Sequence, residues 1–176
     1  MDYLDTFSSP VGPITVASDG EALVGLWLDG QKYFEATLGE TEQCPDLSIL
    51  REVHAWLDRY FAGEDPGTLP AVRPRGTAFR QRVWGMLAQI PYGQLVTYGE
   101  LARSVEEQTG ARTSARAVGG AVGHNPISII LPCHRVVGSG GSLTGYAGGL
   151  QKKIALLELE GVDLGGLTIP ANGTAL

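Results

Sequence analysis

Long apolar runs are missing from this chain. No stretch approaches the roughly 20 residues that a membrane-crossing helix needs. Charged residues make up only 18% of its 176 positions. A soluble globular protein of one compact domain or two small ones is expected. No signal-peptide core is expected after the acidic opening Met1-Asp2-Tyr3-Leu4-Asp5. Cysteine is scarce, with Cys44 and Cys133 the only two. That count argues against a disulfide scaffold. Neither Cys44 nor His54 has the close Cys or His partners of a structural zinc site. The expectation is a reducing, cytoplasmic compartment, with no metal and no cofactor. Internal repeats and low-complexity tracts are also absent. The 25 Gly and 10 Pro are interleaved with Val, Ile and Leu, which argues against disorder.

Charge is unevenly spread. The formal net charge is −6, unlike a generic nucleic-acid binder. Residues 1–70 hold 3 Lys and Arg against 13 Asp and Glu, whereas residues 71–153 hold 10 against 3. The bases of this island are almost all arginine: Arg73, Arg75, Arg80, Arg82, Arg103, Arg112, Arg116 and Arg135. Arginine suits bidentate phosphate contacts, but charge alone equally fits a solvated face balanced by the acidic half.

Residues 3–8, 13–18 and 22–28 read as short strands separated by turn residues. Asp46 is placed to cap a helix whose apolar set is Ile49, Leu50, Val53, Trp56, Leu57, Tyr60 and Phe61. The Gly- and Pro-rich stretch at about 63–76 reads as a linker. It coincides with the charge reversal, so a domain boundary is expected near residue 72. Residues 77–89 form a helix, broken at Pro91-Tyr92-Gly93-Gln94. Thr97 and Glu100 form a capping box, opening a helix to about Val105. Thr113 or Ser114 then caps a second helix running to about Gly123. Helix, turn, helix is the pattern of many DNA-binding modules.

The second helix is nearly bald, with Ala115, Ala117, Gly119, Gly120, Ala121 and Gly123. Interior glycine costs about 1 kcal/mol relative to alanine, so close approach to something is implied. Tight helix packing is the simpler reading. Arg116 in its first turn is opposed by the helix dipole, which favours an external anion instead. Beyond Asn125-Pro126, the apolar run Ile127-Ser128-Ile129-Ile130-Leu131 reads as a buried strand delivering Pro132-Cys133-His134-Arg135-Val136. A cysteine there is most often a small core residue. His134 and Arg135 are placed to support a thiolate, the nucleophilic form. A glycine-rich loop from Gly138 to Gly149 holds Tyr146, and a last helix at about 149–160 ends with Gly161 as its cap.

Pro132-Cys133-His134-Arg135-Val136, preceded by Arg116-Ala117-Val118-Gly119-Gly120-Ala121 and Asn125-Pro126, resembles the O6-alkylguanine–DNA alkyltransferase family. Ile90-Pro91-Tyr92-Gly93, Thr97 to Ala102, Thr144 to Gly149 and Leu156 to Gly161 extend the match in order over roughly residues 77–161. The resemblance implies an α+β or α/β fold. A small N-terminal ribonuclease-H-like α/β domain (1–72) would precede a winged-helix-like domain with a helix-turn-helix (77–165) and a tail (166–176). It implies direct-reversal repair, in which Cys133 takes an alkyl group from O6 of guanine, and from O4 of thymine, in double-stranded DNA. The reaction consumes the protein in a single turnover. The lesion must leave the base stack to be reached.

By the same resemblance, His134 acts through a water as the base, Glu160 orients His134, and Tyr98 donates to the guanine N3. Backbone N–H groups at Tyr146-Ala147 face O6, while Val122, Asn125 and Val136 complete the pocket. Arg116 fills the gap in the stack. Thr113, Ser114, Ala117, Gly119, Gly120 and Asn125 meet DNA through the minor groove. The expected partner is DNA alone, with a monomer in solution and cooperative loading left open. Many relatives carry Ser where Ala147 stands, which implies altered substrate preference, since only the backbone N–H is used. The N-terminal zinc ligands of some relatives are absent. Two other classes compete. A lesion-sensing protein without chemistry would lack the cysteine, which is present. A cysteine hydrolase would turn over, and adjacent Cys133 and His134 rarely act by direct contact.

Overall fold

The turn at Ser9 to Gly12 sets the first hairpin. Ser9 accepts from the Val11 N–H and donates to the Gly12 carbonyl, and Gly12 takes φ +100°. The computed structural model describes residues 1–170 of the chain. β1 (Asp2–Ser9) and β2 (Gly12–Ser18) pair antiparallel, with Phe7 opposite Ile14, and β3 (Leu23–Leu28) continues the meander. These are the three expected strands. A fourth, β4 (Thr41–Gln43), lies parallel to β1, giving the order β3-β2-β1-β4. It was not expected, because three exposed polar residues carry no strand signal.

α1 (Ser48–Phe61) buries Ile49, Leu50, Val53, Trp56, Leu57 and Tyr60, the apolar set read from the spacing. Its cap differs from expectation. Leu47 occupies the N-cap without a side-chain bond, and Asp46 instead accepts from Arg51 at 2.6 Å. The carboxylate finds a cation rather than the helix N–H groups; such an exposed pair contributes little.

Residues 63–76 form an irregular connection, but it is strapped down. The Leu23 N–H donates to the Ala71 carbonyl and the Arg73 N–H to the Leu23 carbonyl, each at 2.8 Å. Arg75 grips both oxygens of Asp2 at 2.7 Å, and Arg73 pairs with Asp19. The core ignores the connection. One apolar cluster runs from Ile14 and Leu26 in the sheet through Leu57 and Trp84 to Val118 and Cys133.

α2 (Ala78–Leu87) starts at a Thr77 cap, and the Trp84 indole N–H donates to the Ala121 carbonyl at 2.8 Å. β5 (Val96–Thr97) leads into α3 (Tyr98–Thr109), whose Thr97–Glu100 capping box is present as expected. α3 runs one turn past Val105 because Glu106, Glu107 and Gln108 are good helix formers, and Gly110 at φ +70° ends it. Ser114, not Thr113, caps α4 (Ala115–Gly123). β6 (Val136–Val137) pairs parallel with β5. α5 (Leu150–Leu159) closes with Glu160 as cap and Gly161 beyond it at φ +76°.

The run 127–131 is not the expected strand. Only Ile127 bridges, to Leu26, and the chain then turns repeatedly. The Ile130 N–H donates to the Ser128 carbonyl at 2.8 Å around Ile129, which sits at φ +69°. That three-residue turn is strained for a β-branched residue. A short, fully buried apolar run carries no period to separate strand from turn. Of the expected tail, Thr168 pairs with Gly141 and Leu143, while residues 171–176 lie outside the described residues. Among the described residues no helix is long and apolar enough to cross a membrane.

Candidate active site and nucleic-acid interface

Two tight turns present the cysteine. Pro132, fixed at φ −80° and ψ 67°, centres a turn in which the Cys133 N–H donates to the Leu131 carbonyl at 2.8 Å. Cys133, His134 and Arg135 then form one turn of 3-10 helix. The Asn125 side chain holds the approach, donating to Leu131 O at 2.7 Å and accepting from the Ile127 N–H at 3.0 Å. These bonds satisfy backbone groups that the missing strand pairing leaves free.

Glu160, arriving from the end of α5, gathers four donors. Its Oε1 accepts from Arg135 Nε at 2.7 Å and the Gly93 N–H at 3.0 Å. Its Oε2 accepts from the Tyr60 hydroxyl at 2.7 Å and from His134 Nε2. Burial pushes this carboxyl up, but the hydrogen bonds from His134 and Arg135 and the charge of Arg135 outweigh it and bring it down to about 2. Burial holds His134 below its ordinary value against the pull of Glu160, so the imidazole is neutral. An ionised carboxylate only accepts, so Nε2 carries the ring proton. Nδ1 is left unprotonated, buried and without a protein partner among the described residues.

The sulfur lies in a polar niche. Cys133 is 3% exposed. Burial raises its thiol, opposed by the Asn125 amide, the Lys153 ammonium and the Ser128 hydroxyl. It rests protonated and needs a base. Arg135 does not support the thiolate as expected: its guanidinium is committed to Glu160 and to the Ile90 carbonyl at 2.7 Å. Lys153 takes that place. It is fully buried, donates to Val136 O at 2.6 Å and to Thr144 O at 3.2 Å, and is brought by burial to about 8.

A cleft is lined by Tyr98, Tyr146 and Ala147, by Gly119 and Gly123 of α4, and by Lys32, Tyr33 and His124; Cys133 itself is not part of its lining. The Tyr98 hydroxyl donates to the carbonyls of Thr144 at 3.2 Å and Gly145 at 3.1 Å. Burial raises this phenol, and a thiolate at Cys133 raises it further, so it stays a donor at neutral pH. Val122 and Val136, expected in the pocket, are buried and do not line this cleft.

α4 turns Ala115, Arg116 and Ala117 outward and buries Gly119 and Ala121. Arg116 and Ala117 are exposed, and a Cβ built on Gly120 meets nothing within 4 Å. Internal packing therefore does not explain that glycine. Ser114 is consumed as the cap, and the Thr113 N–H donates to Glu106. Arg103 and Arg116 flank a groove with the 138–140 loop. The arginine island thus divides: Arg73, Arg75 and Arg135 pair with carboxylates of the chain, Arg80 is half-buried, and Arg82, Arg103, Arg112 and Arg116 are exposed with no carboxylate partner among the described residues.

Two polar residues of the site escaped the sequence reading. Lys153 sits on the apolar face of α5, one turn before Leu156 and Leu157, and a lysine at such a position is itself a signal. The helical spacing of α1 places Tyr60 simply on its apolar face.

Comparison with known proteins agrees. Residues 3–68 match the family described as 6-O-methylguanine DNA methyltransferase, ribonuclease-like domain, and residues 78–162 match its DNA binding domain. A methylated-DNA–protein-cysteine methyltransferase of Mycobacterium tuberculosis is 47% identical over 160 residues, covering 91% of this chain and 93% of its own. One from Methanosarcina acetivorans is 44% identical, covering 90% and 98%. The crystal structure of M. tuberculosis OGT in complex with DNA superposes with TM-score 0.77 at 43% identity, covering 90% of this chain and 92% of that one. The ordered motifs, the fold and these relatives together make this chain a member of the methylated-DNA–protein-cysteine methyltransferase family.

Proposed function

We propose that this protein repairs DNA by direct reversal. It moves a methyl or other alkyl group from O6 of guanine, and from O4 of thymine, onto Cys133. The observation that carries this reading is a protonated, polar-lined thiol next to a neutral histidine whose free Nδ1 is fixed by a buried carboxylate. His134 takes the Cys133 proton through a water, and Glu160 stabilises the resulting imidazolium. The thiolate attacks the alkyl carbon and displaces the base: the S–C bond forms as the C–O bond breaks, and the electron pair goes to the guanine. Tyr98 meets the developing negative charge by turning its hydroxyl from the Thr144 and Gly145 carbonyls to N3. Backbone N–H groups at Tyr146-Ala147 face O6. The thioether has no easily hydrolysed bond, so one chain repairs one lesion.

The lesion reaches the cleft only when flipped from the duplex. The exposed small-residue face of α4, with Ala117 and Gly120, suits close approach to a narrow minor groove, and Arg116 fills the vacated stack. Gly119 and Asn125 join this face to the cleft. Residues 1–72 form the first domain and 77–165 the DNA-binding and catalytic one. The protein acts as a monomer in the cytoplasm, where a reducing medium keeps Cys133 free. Cys133→Ser tests the reading. It should bind alkylated duplex with unchanged affinity and accept no alkyl group; residual transfer would break the mechanism.

A further inference from the structure

Tyr60 is the one member of the carboxylate's shell that comes from the other half of the chain. It stands in the last turn of α1, within the region that matches the ribonuclease-like domain, a hundred positions before Glu160. Cys133, His134, Arg135 and Glu160 all lie in the region that matches the DNA binding domain. Tyr60 is fully buried, and its ring is fixed on several sides. It stacks on Trp56 at 5.5 Å and 7°, and meets Tyr92 edge-on at 6.2 Å. Its hydroxyl donates to Glu160 Oε2 at 2.7 Å and lies 3.4 Å from His134 Nε2. Packing alone explains a phenylalanine here. It does not explain an oxygen aimed at the same carboxylate oxygen that receives the histidine.

Resting on the reading of Cys133 and His134 given above, we propose that Tyr60 is a positioning residue for alkyl transfer. Its hydroxyl holds Glu160 in the orientation that keeps His134 protonated on Nε2 and free on Nδ1, so the N-terminal half completes the catalytic relay. The chemistry follows from donor counting. With Tyr60 in place Oε2 has a fixed second donor, and the carboxylate cannot rotate away from the imidazole without breaking two bonds. A hydrogen bond to the carboxylate also favours the least protonated state of the His134–Glu160 pair. Other groups facing the pair are Arg135 from the 3-10 turn, Lys153 from α5, Tyr92 and Gly93 from the loop after α2, and Tyr146 from the glycine-rich loop. Asp65 acts on Tyr92 from farther out. None of these replaces the Tyr60 donor at Oε2, because Arg135 and Gly93 both use Oε1.

The test uses the full chain and Tyr60→Phe, which removes one oxygen and keeps the ring. Alkyl transfer to Cys133 is timed from free O6-benzylguanine and from an O6-methylguanine duplex across acid to neutral pH. Phe61→Leu, which removes a ring that meets Tyr60 edge-on at 5.2 Å, serves as the packing control: it loosens the Tyr60 ring and keeps its hydroxyl. Nitrogen NMR of labelled histidine follows the His134 ring independently of activity. Tyr60→Phe should reach one alkyl group per chain, but roughly tenfold or more slowly with both substrates, the effect of losing a bond to a charged group. Its acid limb should move to higher pH, as should the His134 titration, while Phe61→Leu leaves both in place. Unchanged rate and limb in Tyr60→Phe would overturn the proposal. So would a uniform slowing that Phe61→Leu shares, with the His134 signals unmoved. If the wild-type chain left Cys133 unmodified, the reading of the site itself would fall with it, whereas wild-type transfer with an indifferent Tyr60→Phe sinks this proposal alone.

Discussion

The relay around Glu160 and the outer face of α4 are built on opposite principles. Inside, both oxygens of the carboxylate that ends α5 are occupied, and their donors come from α1, the loop after α2 and the 3-10 turn. Outside, Arg116 is exposed, and among the described residues no carboxylate lies within ion-pairing distance of it. Gly120 faces open space. A buried charge must be satisfied within the chain. A surface meant for a partner is left unsatisfied and costs some helix propensity. The comparison predicts that changes in the relay cost stability and chemistry, whereas changes on the exposed face of α4 act on the handling of duplex DNA and leave the chemistry at the thiol intact.

The largest effect should come from Arg135→Met. It leaves Glu160 buried without its cation, and breaking such a pair costs about 3–5 kcal/mol; urea unfolding reads it. If stability held, the interior would not depend on its charge pairing. Acid titration sharpens the same point. Glu160 has its pKa depressed from 4.5 to about 2, so its contribution is complete above about pH 4.5 and is lost as pH falls toward 2. His134, held neutral, begins the loss earlier, below its ordinary 6.5, because the unfolded state then binds the extra proton. Melting temperature followed from pH 7 downward should fall through both windows. A flat profile to pH 3 would contradict the assignment.

On the outer face, Arg116→Ala should slow repair in duplex by roughly tenfold or more, the scale of a few kcal/mol of unstacking. Reaction with free O6-benzylguanine should barely change. Equal losses with both would remove Arg116 from the base stack. The smallest change is expected from Gly120→Ala, which should stabilise the fold by up to about 1 kcal/mol, since its Cβ meets nothing. Gly120→Leu should keep that stability and weaken duplex binding. A Leu variant that binds DNA normally would show that the bald face is not pressed against a groove.

The two regions also differ in how far the sequence announced them. The Thr97–Glu100 box, the bald helix and the Pro-Cys-His-Arg turn are local patterns, and each stands where the residues put it. Contacts made over long separations were hidden. Tyr60 has the same helical spacing as its apolar neighbours, so nothing local distinguishes a packed ring from one whose hydroxyl reaches Glu160. Arg135 was read beside its sequence neighbour Cys133, but the 3-10 turn points it toward Glu160. Ile127 to Leu131 looked like a strand because burial on every side erases periodicity. The Asn125 side chain replaces the ladder bonds there. β4 and the Leu47 cap lacked any residue preference to reveal them.

The central claim is that Cys133 is a stoichiometric acceptor. Incubation with excess O6-methylguanine duplex, followed by intact-mass and peptide-mass measurement, tests it directly. The protein should gain one methyl group in place of one hydrogen, located in the peptide containing Cys133, and then stop. Label on Cys44, or methyl groups released beyond the number of protein molecules, would contradict the account.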